Sequence, residues 1–223
     1  GTRIEEYNYI MMHYVITMSQ TPQSVKSAER CIESGKKYGL EIQKWEATTP
    51  NELLPAFISD AGFNAMGFVE KYSRLDSCVA AFHSHWSLWK HCTEIDQEVT
   101  IFEHDAVVVD NIPEMLHNGC ISLGKPSYGK FITPTSLGVN PLTSKAYFPG
   151  AHAYRVAPRG AELLMAQARI YARPTDVFLN RDVMPWLQEY YPWPVECRDS
   201  FTTIQKTEGC LAKHNYNNDY KII

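Results

Sequence analysis

An apolar run at residues 11–17, MMHYVIT, suits a buried strand, and a well-marked helix start follows it. In TPQSVKSAERCIESGKKYG, Thr21 can cap, Pro22 suits the first turn, and Val25, Ala28, Cys31 and Ile32 share a face. Lys36 and Lys37 complement the negative end of the helix dipole, and Gly39 can take the left-handed stop. LEIQKWEA then reads as a second strand. Strand, helix, strand is the usual opening of a mostly parallel sheet, because parallel neighbours need a crossover. The expected fold class is α/β, with one domain over 1–223 and a mostly parallel central sheet flanked by helices.

The longest helix signal lies further on. In SRLDSCVAAFHSHWSLWKHC, Ser73 and Asp76 make a capping box. Leu75, Val79, Phe82, Trp86 and Trp89 recur at alternating steps of four and three, so that stripe must be buried. Before it, residues 50–72 carry Pro50, Pro55, Gly62 and Gly67 and read as an irregular loop, mobile or substrate-facing. After it, the pattern predicts a strand in TIFEHDAVVV, a short helix around NIPEMLHNG, and strand-like pieces at KFITPT and HAYRVA. PRGAELLMAQARI predicts a helix with Ala161, Leu164, Met165 and Ala168 on one side. TDVFLNRDVMPWLQEYY predicts another, capped by Thr175, and the chain beyond Pro192 reads as extended or loop.

With 44% hydrophobic and 21% charged residues the chain can bury a core and is not of disordered type. A formal net charge of −4 and the lack of a basic stripe argue against nucleic acid as a partner, since that grip needs clustered Lys and Arg. Cys31, Cys78, Cys92, Cys120, Cys197 and Cys210 are widely spaced, with no C-x-x-C pair, and most are expected as reduced core residues of a cytoplasmic protein. No run approaches the ~20 apolar residues that span a bilayer, and the first residues lack the order of a signal peptide.

TIFEHDAVVV sets Glu103, His104 and Asp105 where a sheet would otherwise take more Val and Ile. In open α/β sheets, ligands collect at the carboxyl ends of strands, where side chains leave the core and converge on a crevice. A carboxylate there is costly unless it meets a cation, an Arg or several backbone donors. Asp105 therefore asks for a partner, and Mg²⁺ or Mn²⁺ is apt because a hard ion takes oxygen ligands from protein and diphosphate together. An acid-x-acid triplet at a strand end is common, so the motif alone leaves both a metal role and an ordinary polar edge open.

SHWSLWKHC, followed by an apolar strand ending in EHD, resembles glycosyltransferase family 25, which includes lipooligosaccharide and collagen galactosyltransferases. In that family a helical Ser-His pair precedes a strand finishing Glu-Asp-Asp. YVITMSQTPQSVKSAERCIESGKKYGLEIQKWEATTP is similar to the family's first strand, helix and second strand. GAHAYRVAPRGAELLMAQA resembles its Gly-x-x-x-Tyr strand and Gly-Ala helix, and RPTDVFL its Pro-x-Asp segment. The blocks stand in the family's order over most of residues 13–180. Three positions depart: His104 replaces the central acid, Thr17-Met18 stand for Asn-Leu, and Ser24 stands for an Arg that contacts nucleotide.

The resemblance implies a GT-A type domain, with a nucleotide-sugar half at about 10–110 and an acceptor half at about 111–223. It implies metal-assisted, inverting transfer of a hexose from UDP-galactose or UDP-glucose to a saccharide or other hydroxyl acceptor. Asp105 becomes the expected metal ligand, with Glu103 coordinating or holding the ribose, and His214 completing the shell in preference to His152. Thr17, Ser84, His85 and Glu103 are implied around the donor. Asp176 is the implied general base, with Asp182 behind it, and the aromatics of WLQEYYPWP could stack on an acceptor sugar. Without the resemblance, His85 reads as a hydrogen-bonded core residue, Asp176 as a first-turn acid and His214 as an exposed histidine. A catalytically silent binding module of the same fold and a metal-dependent phosphoester hydrolase are the competing readings.

Overall fold

The computed structural model describes residues 11–50, 59–68, 75–148 and 151–198. Its first unit is β1 (Met12–Thr17), α1 (Pro22–Lys36) and β2 (Ile42–Glu46), the expected strand, helix and strand. Pro22 opens α1, Thr21 precedes it without a side-chain cap, and Gly39 takes a φ of +76° just after it. A second crossover brings α2 (Leu75–Ile95) and then β3 (Val99–Glu103), after which the chain turns into β4 (Ala106–Val108). The remaining elements are β5 (Cys120–Ser122), β6 (Gly138–Pro141), β7 (Ala153–Val156), α3 (Pro158–Ile170), a single helical turn α4 (Thr175–Phe178), β8 (Gln188–Tyr191) and β9 (Val195–Cys197).

Seven of these strands form one sheet in the order β2-β1-β3-β7-β5-β8-β6, while β4 and β9 pair separately. β1 is parallel to both β2 and β3, and β5 is parallel to β8. β7 runs antiparallel to both β3 and β5, and β6 antiparallel to β8. β2, β1, β3, β5 and β8 therefore share one direction, with β7 and β6 reversed. The fold is α/β with a mostly parallel sheet, as the sequence predicts, and strands from both halves of the chain enter it.

The two faces of the sheet bury different cores. On one, Tyr14, Ile101, Tyr154 and Val156 pack with Phe82 and Trp89 of α2 and with Ala161, Leu164 and Ala168 of α3. On the other, Val15, Phe102 and Ala153 pack with Ala28 and Cys31 of α1. Adjacent strand residues point to opposite faces, which is why consecutive positions divide between the two cores. The stripe predicted on α2 is buried at Val79, Phe82, Trp86 and Trp89, but Leu75 at its start is 48% exposed. Ser73 lies outside the described residues.

Three predicted elements are different in the structure. The helix expected at NIPEMLHNG is absent, because the buried Arg155 guanidinium draws on the carbonyls of Ile112 and Pro113, which a helix would need for its own ladder. The helix expected from Thr175 ends after one turn, where the Asn180 side chain bonds Val177 O at 2.8 Å and accepts from Val183 N at 3.1 Å. QEYY enters the sheet as β8 instead, in keeping with the strand preference of its aromatics. KFITPT is not a strand, and the sheet edge is supplied by β6 beyond it. The five described cysteines, Cys31, Cys78, Cys92, Cys120 and Cys197, form no disulfide with one another.

Candidate active site

α1 carries the chain from β1 to β2 on one side, and α2 leads to β3 on the other side of β1. The order of strands therefore reverses between β1 and β3, and ligands of open α/β sheets bind outside the carboxyl ends at such a point. Thr17 and Glu103 occupy those two ends.

Glu103 lies opposite Ile16 and shares the face of Ile101, toward α2. His85 meets it there, with Nε2 3.7 Å from Oε2 of Glu103. Burial pushes the His85 pKa down to about 3, against the raising effect of the Asp176 charge. The imidazole is therefore neutral near pH 7, so its contact with Glu103 is between a dipole and a charge, and it is too long for a direct hydrogen bond.

The proton on His85 is placed by its neighbours. Trp89 Nε1 donates to the Tyr154 hydroxyl at 2.9 Å, and the same hydroxyl bonds His85 Nδ1 at 2.7 Å. Indole N–H can only donate, and Tyr154 is fully buried, so its own O–H needs an acceptor. His85 Nδ1 is the acceptor beside it. Nδ1 is then unprotonated, Nε2 carries the hydrogen, and that N–H faces Glu103.

Asp176 reaches the same neighbourhood from the first turn of α4. Its Oδ2 accepts from the Tyr128 hydroxyl at 2.6 Å and its Oδ1 from Val177 N at 3.0 Å. Burial, followed by the Asp176 charge, holds the Tyr128 pKa well above its ordinary value. Lys145 donates to Tyr128 O at 2.7 Å, and its ammonium sits 4.6 Å from the Tyr128 ring centre and 5.3 Å from that of Tyr147. The Asp176 charge acts on both His85 and Lys145. Glu103, His85 and Asp176, which are distant in sequence, are thus brought into one electrostatic neighbourhood.

The other residues singled out in the sequence lie around this group rather than in it. The Thr17 hydroxyl turns back onto Val15 O at 3.0 Å. Ser84 Oγ accepts from Thr48 N and donates to Ala80 O, while His83 Nδ1 bonds Thr48 Oγ1 at 2.6 Å, so this pair fixes the chain leaving β2. His104 bonds Ser24 Oγ at 2.8 Å, and Ser24 also accepts from Met18 N. Positions 24 and 104, both departures from the resembled pattern, touch each other. His152 is buried just before β7, with its ring against Gly124. Asp182 sits in an exposed turn.

Asp105 faces away from Glu103. One of its oxygens accepts from the Cys197 thiol at 3.0 Å, and its charge acts on Cys31 of α1, whose pKa is pushed up to about 12 by burial first and Asp105 second. The two acids expected to grip one ion thus serve different sides of the sheet. Among the described residues no three His, Cys, Asp or Glu side chains are grouped to hold a metal ion. The described donors do not by themselves fit a divalent cation, and His214 lies outside the described residues.

Tyr154 is the tyrosine of the resembled Gly-x-x-x-Tyr strand, where it is given no role, and Tyr128, Tyr147 and Lys145 carry no mark in the sequence. A tyrosine inside the apolar run HAYRVA carried a usable hint, because a buried hydroxyl must find a partner. The other three come from irregular chain with no period to mark them.

No protein-family model matches the chain, and no curated protein matches it. Among solved structures it is similar to the CTP:phosphocholine cytidylyltransferase of Streptococcus pneumoniae, at 10% identity over 83% of this chain and 92% of that chain, with a TM-score of 0.36. At that level of similarity, the α/β assignment rests on the strand order and directions themselves.

Proposed function

We propose that the protein is a hexosyltransferase of the GT-A type, using a nucleotide-diphosphate sugar such as UDP-galactose or UDP-glucose and a saccharide or other hydroxyl acceptor. The observation that carries the reading is the approach of His85 to Glu103, within the field of the Asp176 charge, beside a topological switch point. In this reading Asp176 takes the acceptor proton as the acceptor oxygen bonds to the anomeric carbon and the bond from that carbon to the diphosphate breaks. Tyr128 holds the Asp176 carboxylate in place. Glu103, faced by the N–H of His85, offers an acceptor to hydroxyls of the donor.

The test compares Asp176→Asn with the unaltered protein, measuring sugar transfer and nucleoside-diphosphate affinity separately. Transfer is expected to fall by about a hundredfold or more, the usual scale for a general base, with affinity little changed. Equal losses in both would remove the base assignment. A catalytically silent binding module is favoured by one observation, the His104–Ser24 bond at the position of the resembled family's central acid. It predicts intact nucleotide-sugar binding with no hydrolysis of any donor.

A further inference from the structure

We infer that Lys145 is an anion-binding residue of this site, its ammonium taking a phosphate oxygen of the ligand. The ammonium makes one hydrogen bond, to Tyr128 O, and pairs with no carboxylate among the described residues. An ammonium has three N–H donors, so two remain. It lies over two tyrosine rings, at 4.6 and 5.3 Å, an arrangement that holds the cation without a direct ion pair.

The backbone around it is fixed from several directions. Thr143 N and Ser144 N donate to the buried Glu189 carboxylate at 2.6 and 2.8 Å, and Ile132 N donates to Ser144 O at 2.9 Å. On the other side Tyr147 bridges to Asn180, and Phe148 N donates to Leu179 O at 3.0 Å. A cation held this way loses little freedom on binding, the condition for preorganised charge stabilisation. Burial lowers the Lys145 pKa, and the Asp176 charge opposes that shift. That the phosphate belongs to a nucleotide-sugar rests on the reading above; that Lys145 binds an anion does not.

The experiment measures binding of inorganic pyrophosphate to the full chain by calorimetry, in EDTA so that no divalent ion contributes. Lys145→Met is expected to weaken binding by about tenfold or more, the scale of a charge-assisted hydrogen bond, while Lys145→Arg retains most of it. The unaltered protein gives an independent readout, since pyrophosphate is expected to protect Lys145 from reductive methylation followed by mass spectrometry. Equal affinity in Lys145→Met and the unaltered protein, failure of the unaltered protein to bind, or absence of protection would each overturn the inference. UDP and uridine separate this from the functional reading. If UDP binds no more tightly than pyrophosphate, the nucleotide assignment fails while the Lys145 site stands.

Discussion

At the scale of single residues, the wiring of His85 follows from what each neighbour is able to donate. Trp89 donates to Tyr154, Tyr154 donates its O–H to His85 Nδ1, and His85 presents Nε2–H toward Glu103. Tyr154→Phe removes the middle group and frees His85 to change tautomer. Imidazole ¹⁵N shifts are expected to show a neutral Nε2–H form from pH 5 to 8 in the unaltered protein and loss of that preference in the variant. An unchanged tautomer in Tyr154→Phe would show that another group sets it. The variant also leaves two buried polar groups unsatisfied, at a cost of about 1–3 kcal/mol for each. Sequence alone leaves His85 either as a core histidine or as part of a donor pocket. In the structure it is a buried, hydrogen-bonded histidine, 1% exposed, whose Nε2 faces Glu103.

Among the elements, the contact between the start of β5 and the first turn of α3 has the least room. A Cβ on Gly160 would lie 2.0 Å from Gly119 O, and the same carbonyl accepts from Ala157 N at 2.9 Å. Gly160→Ala must push the helix off the strand. It is expected to lose about 1–3 kcal/mol or more in denaturant unfolding, and a stability within error of the unaltered protein would contradict this packing. The periodic helices α1, α2 and α3 are legible in sequence because each buries one apolar stripe against a sheet. α4 and the stretch at 111–117 are not, because distant side chains and carbonyls decide them: Asn180 stops one, and Arg155 consumes the other's acceptors.

Across the whole molecule, burial leaves several histidines neutral, and this ties stability to pH. The pKa of His13 is lowered to about 4, that of His85 to about 3 and that of His152 to about 4, in each case mainly by burial. The unfolded chain takes up these protons near the ordinary value of 6.5, whereas the native state does not until pH 3–4. Stability from this source is thus complete above 6.5 and is lost as pH falls toward 4, with a slope of about 1.4 kcal/mol per pH unit for each group. Urea unfolding of His152→Leu between pH 6.5 and 4.5 is expected to show a slope smaller by about that amount. An identical slope would mean that the native protein protonates His152. The sequence by itself determined the α/β class, the opening crossover and the buried helix stripes, because local periodicity and caps encode which face each segment must hide. Only the tertiary structure decided that Glu103 and Asp105 serve different sides of the sheet, that Asp176, Tyr128 and Lys145 cluster, and that the Asp176 charge acts on His85. Strand alternation and long-range strand order, which no local pattern records, set those positions.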